Sequence, residues 1–254
     1  MRIITDRVWY VNYDVCRHMI NLRGKTLLII SPHPDDEVLG CGGLIQKVKQ
    51  ANGKVYVIFV TVGNTKDYRK EGVSTESERI KEIESVAAYL KYDDYRILFP
   101  GDAYHLQLDK MSQFELMSAF ENGSVSLNKI KPDIVTVPLL SDYNQDHRAS
   151  TMALFAAARP APDGIKPLQK CILGYESVPT AGWWDSANQN MNVFFPLTDE
   201  ELQGKTHALS LYSSQVRTGN HPRALDCVKR LAHYQGIGAG VAAAEAYYGY
   251  RLIV

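Results

Sequence analysis

Leu27-Leu28-Ile29-Ile30-Ser31-Pro32-His33-Pro34-Asp35-Asp36-Glu37-Val38-Leu39-Gly40-Cys41-Gly42-Gly43 runs from an apolar segment through one histidine and two adjacent aspartates into a glycine-rich stretch. Leu27 to Ile30 is the short continuous apolar run of a strand buried on both faces, and Pro32 and Pro34 end it and stiffen the turn that follows. His33 and Asp36 are therefore expected side by side at the carboxyl edge of a sheet, where open α/β folds keep their ligands. Imidazole nitrogen and carboxylate oxygen suit borderline and hard divalent ions, and a neighbouring carboxylate that does not ligate can act as base on an activated water. Asp35 is the candidate for that second role. The competing reading makes Asp35 and Asp36 turn residues that cap a helix at Val38, since Asp is a preferred N-cap.

A second segment bears on that choice. Asp133-Ile134-Val135-Thr136-Val137-Pro138 reads as another buried strand, and the chain beyond it passes through Ser141, Asp142, Tyr143, Asn144 and Gln145 to Asp146-His147-Arg148 at a helix start. Two strand ends thus each deliver a histidine, which supplies the context a lone His-x-x-Asp pair lacks.

Ser31-Pro-His-Pro-Asp-Asp-Glu37 with a distant Asp146-His147-Arg148 resembles the PIG-L or LmbE-like family of zinc-dependent N-deacetylases, which remove acetyl groups from N-acetylglucosamine-type amines. The similarity covers most of the chain. Arg79-Ile80-Lys81-Glu82 resembles the family's Arg-x-x-Glu helix, and Phe99-Pro100-Gly101-Asp102 its Phe-x-Asp strand end. Lys205 through Tyr212-Ser213-Ser214-Gln215 resembles its Lys-to-Tyr-x-Ser-Gln stretch, and Gly236 to Ala246 its terminal segment ending in Ala-Glu-Ala.

The resemblance implies one Zn²⁺ per chain, held by His33, Asp36 and His147, with Asp35 as general base. Three protein ligands leave a position open for water, as catalytic zinc sites require, and zinc brings the pKa of that water to about 7. The resemblance also favours a substrate-binding role for Arg79. Arg148, directly after the ligand histidine, is read either in the same way or as a solvated helix-start arginine. One departure stands out: much of the family has a histidine three residues before the second ligand histidine, oriented by the aspartate at 146, and here Asn144 occupies that place. An asparagine amide can donate to an oxyanion but cannot deliver a proton near neutral pH. Asp35 is then expected to return the proton to the leaving amine, with Tyr143 or a C-terminal histidine such as His221 or His233 as the alternatives.

Around these motifs strand and helix signals alternate. Val55 to Thr61, Tyr95 to Phe99 and Cys171 to Ser177 read as strands; Ser77 to Lys91, Ser112 to Ile130 with a break near Gly123, and Arg148 to Ala158 read as helices. The pattern predicts an α/β, Rossmann-like fold, a mostly parallel sheet with helices on both faces and a C-terminal cap region. A single domain is expected over residues 1–254, with its core at about 24–178 and cap elements at about 179–254, because no low-complexity linker or internal repeat divides the chain. In the cap, Asn192 to Pro196 reads as a short strand and Asp199 to Leu211 as a helix. Trp183 and Trp184, in a glycine-flanked loop, are candidates to stack on a sugar face; core packing or a homo-oligomer contact is the competing reading.

Composition narrows the partners. Lys plus Arg (28) equals Asp plus Glu (28), so no net field draws the chain to nucleic acid or anionic membrane. Cys16, Cys41, Cys171 and Cys227 lack Cys-x-x-Cys spacing, which fits reduced cytoplasmic thiols rather than a cysteine zinc site. Charges at Arg2, Asp6, Arg7, Asp14 and Arg17 interrupt any apolar leader, and no membrane anchor is expected. Two functions follow as expectations: a metal-dependent hydrolase acting on a small amino-sugar conjugate, or a metal-binding relative with weak turnover that binds such conjugates. A dinucleotide dehydrogenase is disfavoured, because Gly-x-Gly-x-x-Gly does not follow the first strand and Pro-His-Pro would block close approach to a pyrophosphate.

Overall fold

The computed structural model describes residues 20–67, 71–162, 164–179 and 190–253. In chain order it contains β1 (Thr26–Ser31), α1 (Asp36–Gln50), β2 (Lys54–Val62), the paired β3 (Thr65–Lys66) and β4 (Val73–Ser74), α2 (Glu76–Leu90) and β5 (Asp94–Pro100). Then come α3 (Gln113–Glu121), α4 (Leu127–Ile130), β6 (Ile134–Pro138), α5 (Gln145–Ala157), β7 (Cys171–Tyr175), β8 (Val193–Pro196), α6 (Asp199–Leu211), α7 (Leu225–Ala239) and β9 (Ala244–Leu252).

Seven strands form one sheet in the order β5-β2-β1-β6-β7-β9-β8. The first five are parallel, and β9 and β8 extend the sheet antiparallel beyond β7. The two-residue alternation of a strand explains why β1 is apolar throughout. Leu27 and Ile29 join a buried layer with α1, α2, Tyr212 and Tyr247, while Leu28 and Ile30 join the opposite layer with α3, α4 and α5. Winding proceeds from β1 outward to β5 on one side and from β6 to β7 on the other, so the direction reverses between β1 and β6. Crevices at such a reversal, outside the carboxyl ends of the strands, are where open α/β sheets bind ligands.

The expected break near Gly123 is present. Gly123 has φ 127, and a Cβ there would fall 1.8 Å from Arg96 Nη1, so the chain turns between α3 and α4. In the glycine-rich start of α1, a Cβ on Gly40 would stand 2.2 Å from the Tyr175 ring, which explains how this helix lies so close to β7. Cys41 is a buried thiol in the same packing, as its small size suggests.

From residue 190 onward the chain adds β8 and β9 to the sheet and Leu209, Tyr212 and Tyr247 to the buried layer of α1 and α2, and a buried ion pair ties it there. Glu245 on β9 accepts the Gly43 and Leu44 backbone N–H groups at 2.7 Å each, and Lys205 on α6 donates to Leu39 O and Glu245 Oε1, both at 2.7 Å. The buried Lys205–Glu245 pair is thus inserted into the hydrogen-bond ladder of α1, and every charged end has a partner, as a buried pair requires. Among the described residues no helix is long and apolar enough to cross a membrane.

Candidate active site and metal centre

Ser31 ends β1, and the turn after it is fixed by its own side chains. Ser31 Oγ donates to His33 O at 2.7 Å, the His33 N–H donates to Asp36 Oδ2 at 3.0 Å, and the Asp35 N–H donates to Glu37 Oε2 at 3.2 Å. Glu37 is buried and in turn receives the Tyr212 and Tyr92 hydroxyls. Burial pushes the Glu37 carboxyl up to about 8, so near neutral pH it holds this turn mostly as a protonated acid. Asp35 is the residue before α1, but its side chain makes no capping bond, and its backbone has φ 108 and ψ −26. The capping reading of Asp35 therefore fails: the carboxylate is not spent on the helix, and the backbone stands in a region that a residue with a Cβ rarely adopts.

On the other side of the reversal, β6 ends at Pro138 and α5 begins at Gln145, three residues earlier than the Ala-rich pattern predicts. Asn144 is the reason, since its side-chain oxygen accepts the Asp146 N–H at 2.9 Å and caps α5. His147 on the first turn faces His33 across the reversal, with ring centroids 5.3 Å apart.

His33, Asp36 and His147 come together with ligand atoms all within 4.8 Å of one another, and they could hold a metal ion. Each imidazole is aimed from behind. His33 Nε2 lies 2.8 Å from Asp146 Oδ2, and Asp146 is itself pinned by the Leu106 and Leu108 N–H groups at 2.8 and 3.0 Å. His147 Nδ1 lies 2.6 Å from Asp142 Oδ2. The opposite nitrogens, His33 Nδ1 and His147 Nε2, then face each other at 3.3 Å, and Asp36 Oδ2 sits 3.4 and 3.1 Å from them. Two imidazole nitrogens and a carboxylate converging on one point can share a cation between them, and carboxylates behind metal-binding histidines are the usual support. A proton can take that place: burial pushes His147 down, but Asp36 and Asp142 outweigh it and hold its imidazole up to about 10. Asp36 Oδ1 is buried with no hydrogen-bond partner, so the donor set fits a divalent ion as well.

Asp35 Oδ2 is likewise buried without a hydrogen bond, and Arg223 Nε lies 3.4 Å away. Burial lifts the Asp35 carboxyl to about 6, restrained by the Arg223 charge. Arg79 is buried on α2 and donates to Gly63 O at 3.1 Å. His105, in the loop after β5, stands edge-on to His33 with centroids 5.1 Å apart. Burial, with His33 and Arg79 nearby, pushes its imidazole down to about 3, so it is neutral at ordinary pH.

The remaining expected residues sort differently. Asp146 supports His33, not a side chain at position 144. Arg148 directs its guanidinium at the Asp142 and Tyr143 carbonyls of its own turn. Tyr143, His221 and His233 are exposed, and His233 Nδ1 is tied to Ala242 O at 2.8 Å. Trp183 and Trp184 lie outside the described residues, as does nearly all of the segment inspected for a leader. Sequence reasoning missed Asp142, Arg223 and the position of His105. Asp142 had a usable signal, an acid at a strand end five residues before a candidate ligand histidine.

A family model described as PIG-L, GlcNAc-PI de-N-acetylase, matches residues 28–158, which hold both halves of this site. Among curated proteins, the 2'-N-acetylparomamine deacetylase of Streptomyces fradiae is 28% identical over 217 residues, covering 76% of this chain and 74% of that protein. A glucosamine-6-phosphate deaminase-like protein of Bacteroides thetaiotaomicron is 25% identical over 245 residues, and the match spans 76% of this chain but only 36% of that longer protein. Among solved structures, the N,N'-diacetylchitobiose deacetylase of Pyrococcus horikoshii has the same fold, with a TM-score of 0.64 at 22% identity over 89% of this chain and 83% of the other.

Proposed function

The chain belongs to the PIG-L (GlcNAc-PI de-N-acetylase) family, and from that premise we propose that it is a metal-dependent hydrolase that removes the N-acetyl group from an N-acetylglucosamine-type amino-sugar conjugate. The observation that carries the reading is the pairing of a converged His33, Asp36 and His147 with a buried carboxylate, Asp35, that neither joins them nor caps the helix. Its side-chain contact is an ion pair with Arg223, which leaves the carboxylate ionisable beside the cluster, and a strained backbone of this kind is found at functional sites.

His33, Asp36 and His147 are the residues to hold one zinc ion, which when bound supplies Lewis-acid polarisation of the acetamide and makes water acidic enough to attack. Asp146 and Asp142 keep the two imidazoles aimed. Asp35 takes the proton from the attacking water and returns it to the leaving amine, because a base already positioned for the first transfer is positioned for the second. Asn144, whose oxygen is committed to capping α5, supplies no proton, which supports this single-carboxylate route. Arg79, buried beside Asp35, binds the sugar.

The test is a panel of N-acetylglucosaminides that differ in aglycone, incubated with zinc-loaded protein while free acetate and free amine are measured. Equimolar acetate and amine from at least one member is expected. Binding without acetate from any of them would replace the hydrolase by a sugar-conjugate binding protein.

A further inference from the structure

Near the metal-ligand cluster, buried polar atoms without a hydrogen-bond partner include Asp35 Oδ2, Asp36 Oδ1, Arg79 Nε and His105 Nδ1. The first two already have a use. The other two are N–H groups, and an unpaired buried donor is rare enough to need an explanation.

The proton on His105 can be placed from its neighbour. Arg79 Nη1 lies 3.5 Å from His105 Nε2, and a guanidinium only donates, so Nε2 is the acceptor and Nδ1 carries the hydrogen. The loop that presents this ring is anchored to the metal-ligand cluster. The His105 N–H donates to Gly101 O, and the next residue, Leu106, donates to the same Asp146 oxygen that orients His33. His105 is therefore registered to His33 through one carboxylate, and the rings meet at 83°.

We propose that His105 is a substrate-facing residue, an imidazole whose Nδ1–H donates to an oxygen of the bound amino sugar, either the acetamide oxygen or a ring hydroxyl. It rests on the deacetylase reading for the kind of ligand. An N–H donor selects an oxygen acceptor and offers nothing to an ammonium or an apolar group.

Three variants test this. His105→Asn keeps an amide nitrogen at the distance of Nδ1 from the backbone, His105→Gln moves it out to the distance of Nε2, and His105→Ala removes it. In Ala and Gln, kcat/KM for an N-acetylglucosaminide should fall roughly 10- to 10²-fold, the range for one lost hydrogen bond in a closed site. Asn should retain most of the wild-type value, with zinc content and melting temperature unchanged in all three. Binding of glucosamine to the zinc-loaded protein identifies the oxygen. A Kd weakened about tenfold in Gln means a ring hydroxyl, whereas an unchanged Kd with a lower kcat means the acetamide oxygen. Equal losses in Asn and Gln, wild-type kcat/KM and Kd in all three, or loss of zinc or of folding would overturn the proposal and make His105 a packing support for His33. Wild-type protein that releases no acetate would defeat the hydrolase reading, while the Kd series would still report on His105.

Discussion

Replacing Asp35 by alanine and, separately, by glycine isolates the strain stored beside the His33, Asp36 and His147 cluster. Both changes delete the buried carboxylate and both should abolish turnover, so they differ only in the Cβ. At an ordinary backbone position alanine is the more stable choice by roughly 0.5–1 kcal/mol, because glycine loses more freedom on folding. Asp35 is not ordinary: φ is 108, and holding a residue with a Cβ in such a region costs about 1–3 kcal/mol. Set against the glycine penalty, the middles of these ranges leave Asp35→Gly ahead by about 1 kcal/mol. For a domain of this size that is a melting temperature about 2–4 °C higher than that of Asp35→Ala. The hydrogen bonds from the Asp35 N–H to Glu37 and from the Val38 and Leu39 N–H groups to the Asp35 carbonyl, which do not involve the side chain, hold the turn in place in both variants. Paired calorimetric scans on metal-free protein give the comparison. If the alanine variant melts at the same temperature or higher, Asp35 is not strained, and the inference from backbone to function is lost.

Three further outcomes are expected. Asp142→Ala should weaken zinc affinity about 10- to 100-fold by freeing the His147 ring, as chelator competition would show; an unchanged affinity would remove Asp142 from the site. Asp35 acts as a base only when ionised, so kcat/KM should fall as pH drops through a limb at or below about 6. Taking away the Arg223 cation with Arg223→Ala raises that pKa and should move the limb to higher pH, and a stationary limb would mean that another group titrates. Glu245→Ala leaves Lys205 buried without its partner and should cost about 3–5 kcal/mol, a drop of roughly 6–20 °C in Tm; a change under about 2 °C would show that the clamp on α1 is dispensable.

The parallel half of the fold was readable because each of its strands carries its own signal. β1 is apolar at every interior position since both faces are covered, and α2 repeats apolar residues at helical spacing. α7 and β9 were not read, although Tyr247, Tyr248, Tyr250 and Leu252 alternate with small or polar neighbours only in part. Their stability comes from distant partners: β9 is fixed between β7 and β8, and its Glu245 reaches α1. The cluster that could hold a metal was legible because two of its residues share one turn and the third follows a strand end. Their supporting groups were less so. Nothing local to His105 separates it from a surface histidine, and Arg223 meets Asp35 only because the segment between α6 and α7 folds back over β1's end. The role expected of Asp146 shifted for a simple reason. With a cap residue at 144 there is no imidazole beside it, and its oxygens go to His33 and to the loop after β5.

The most direct test of the whole account is zinc content and acetate release measured together on wild type, His147→Ala and Asp35→Asn. The account predicts about one zinc per chain in wild type and in Asp35→Asn, none held stoichiometrically by His147→Ala, and a turnover in Asp35→Asn lowered at least ~10²-fold with its metal in place. Unchanged zinc in His147→Ala, or near-normal acetate release by zinc-loaded Asp35→Asn, would contradict it.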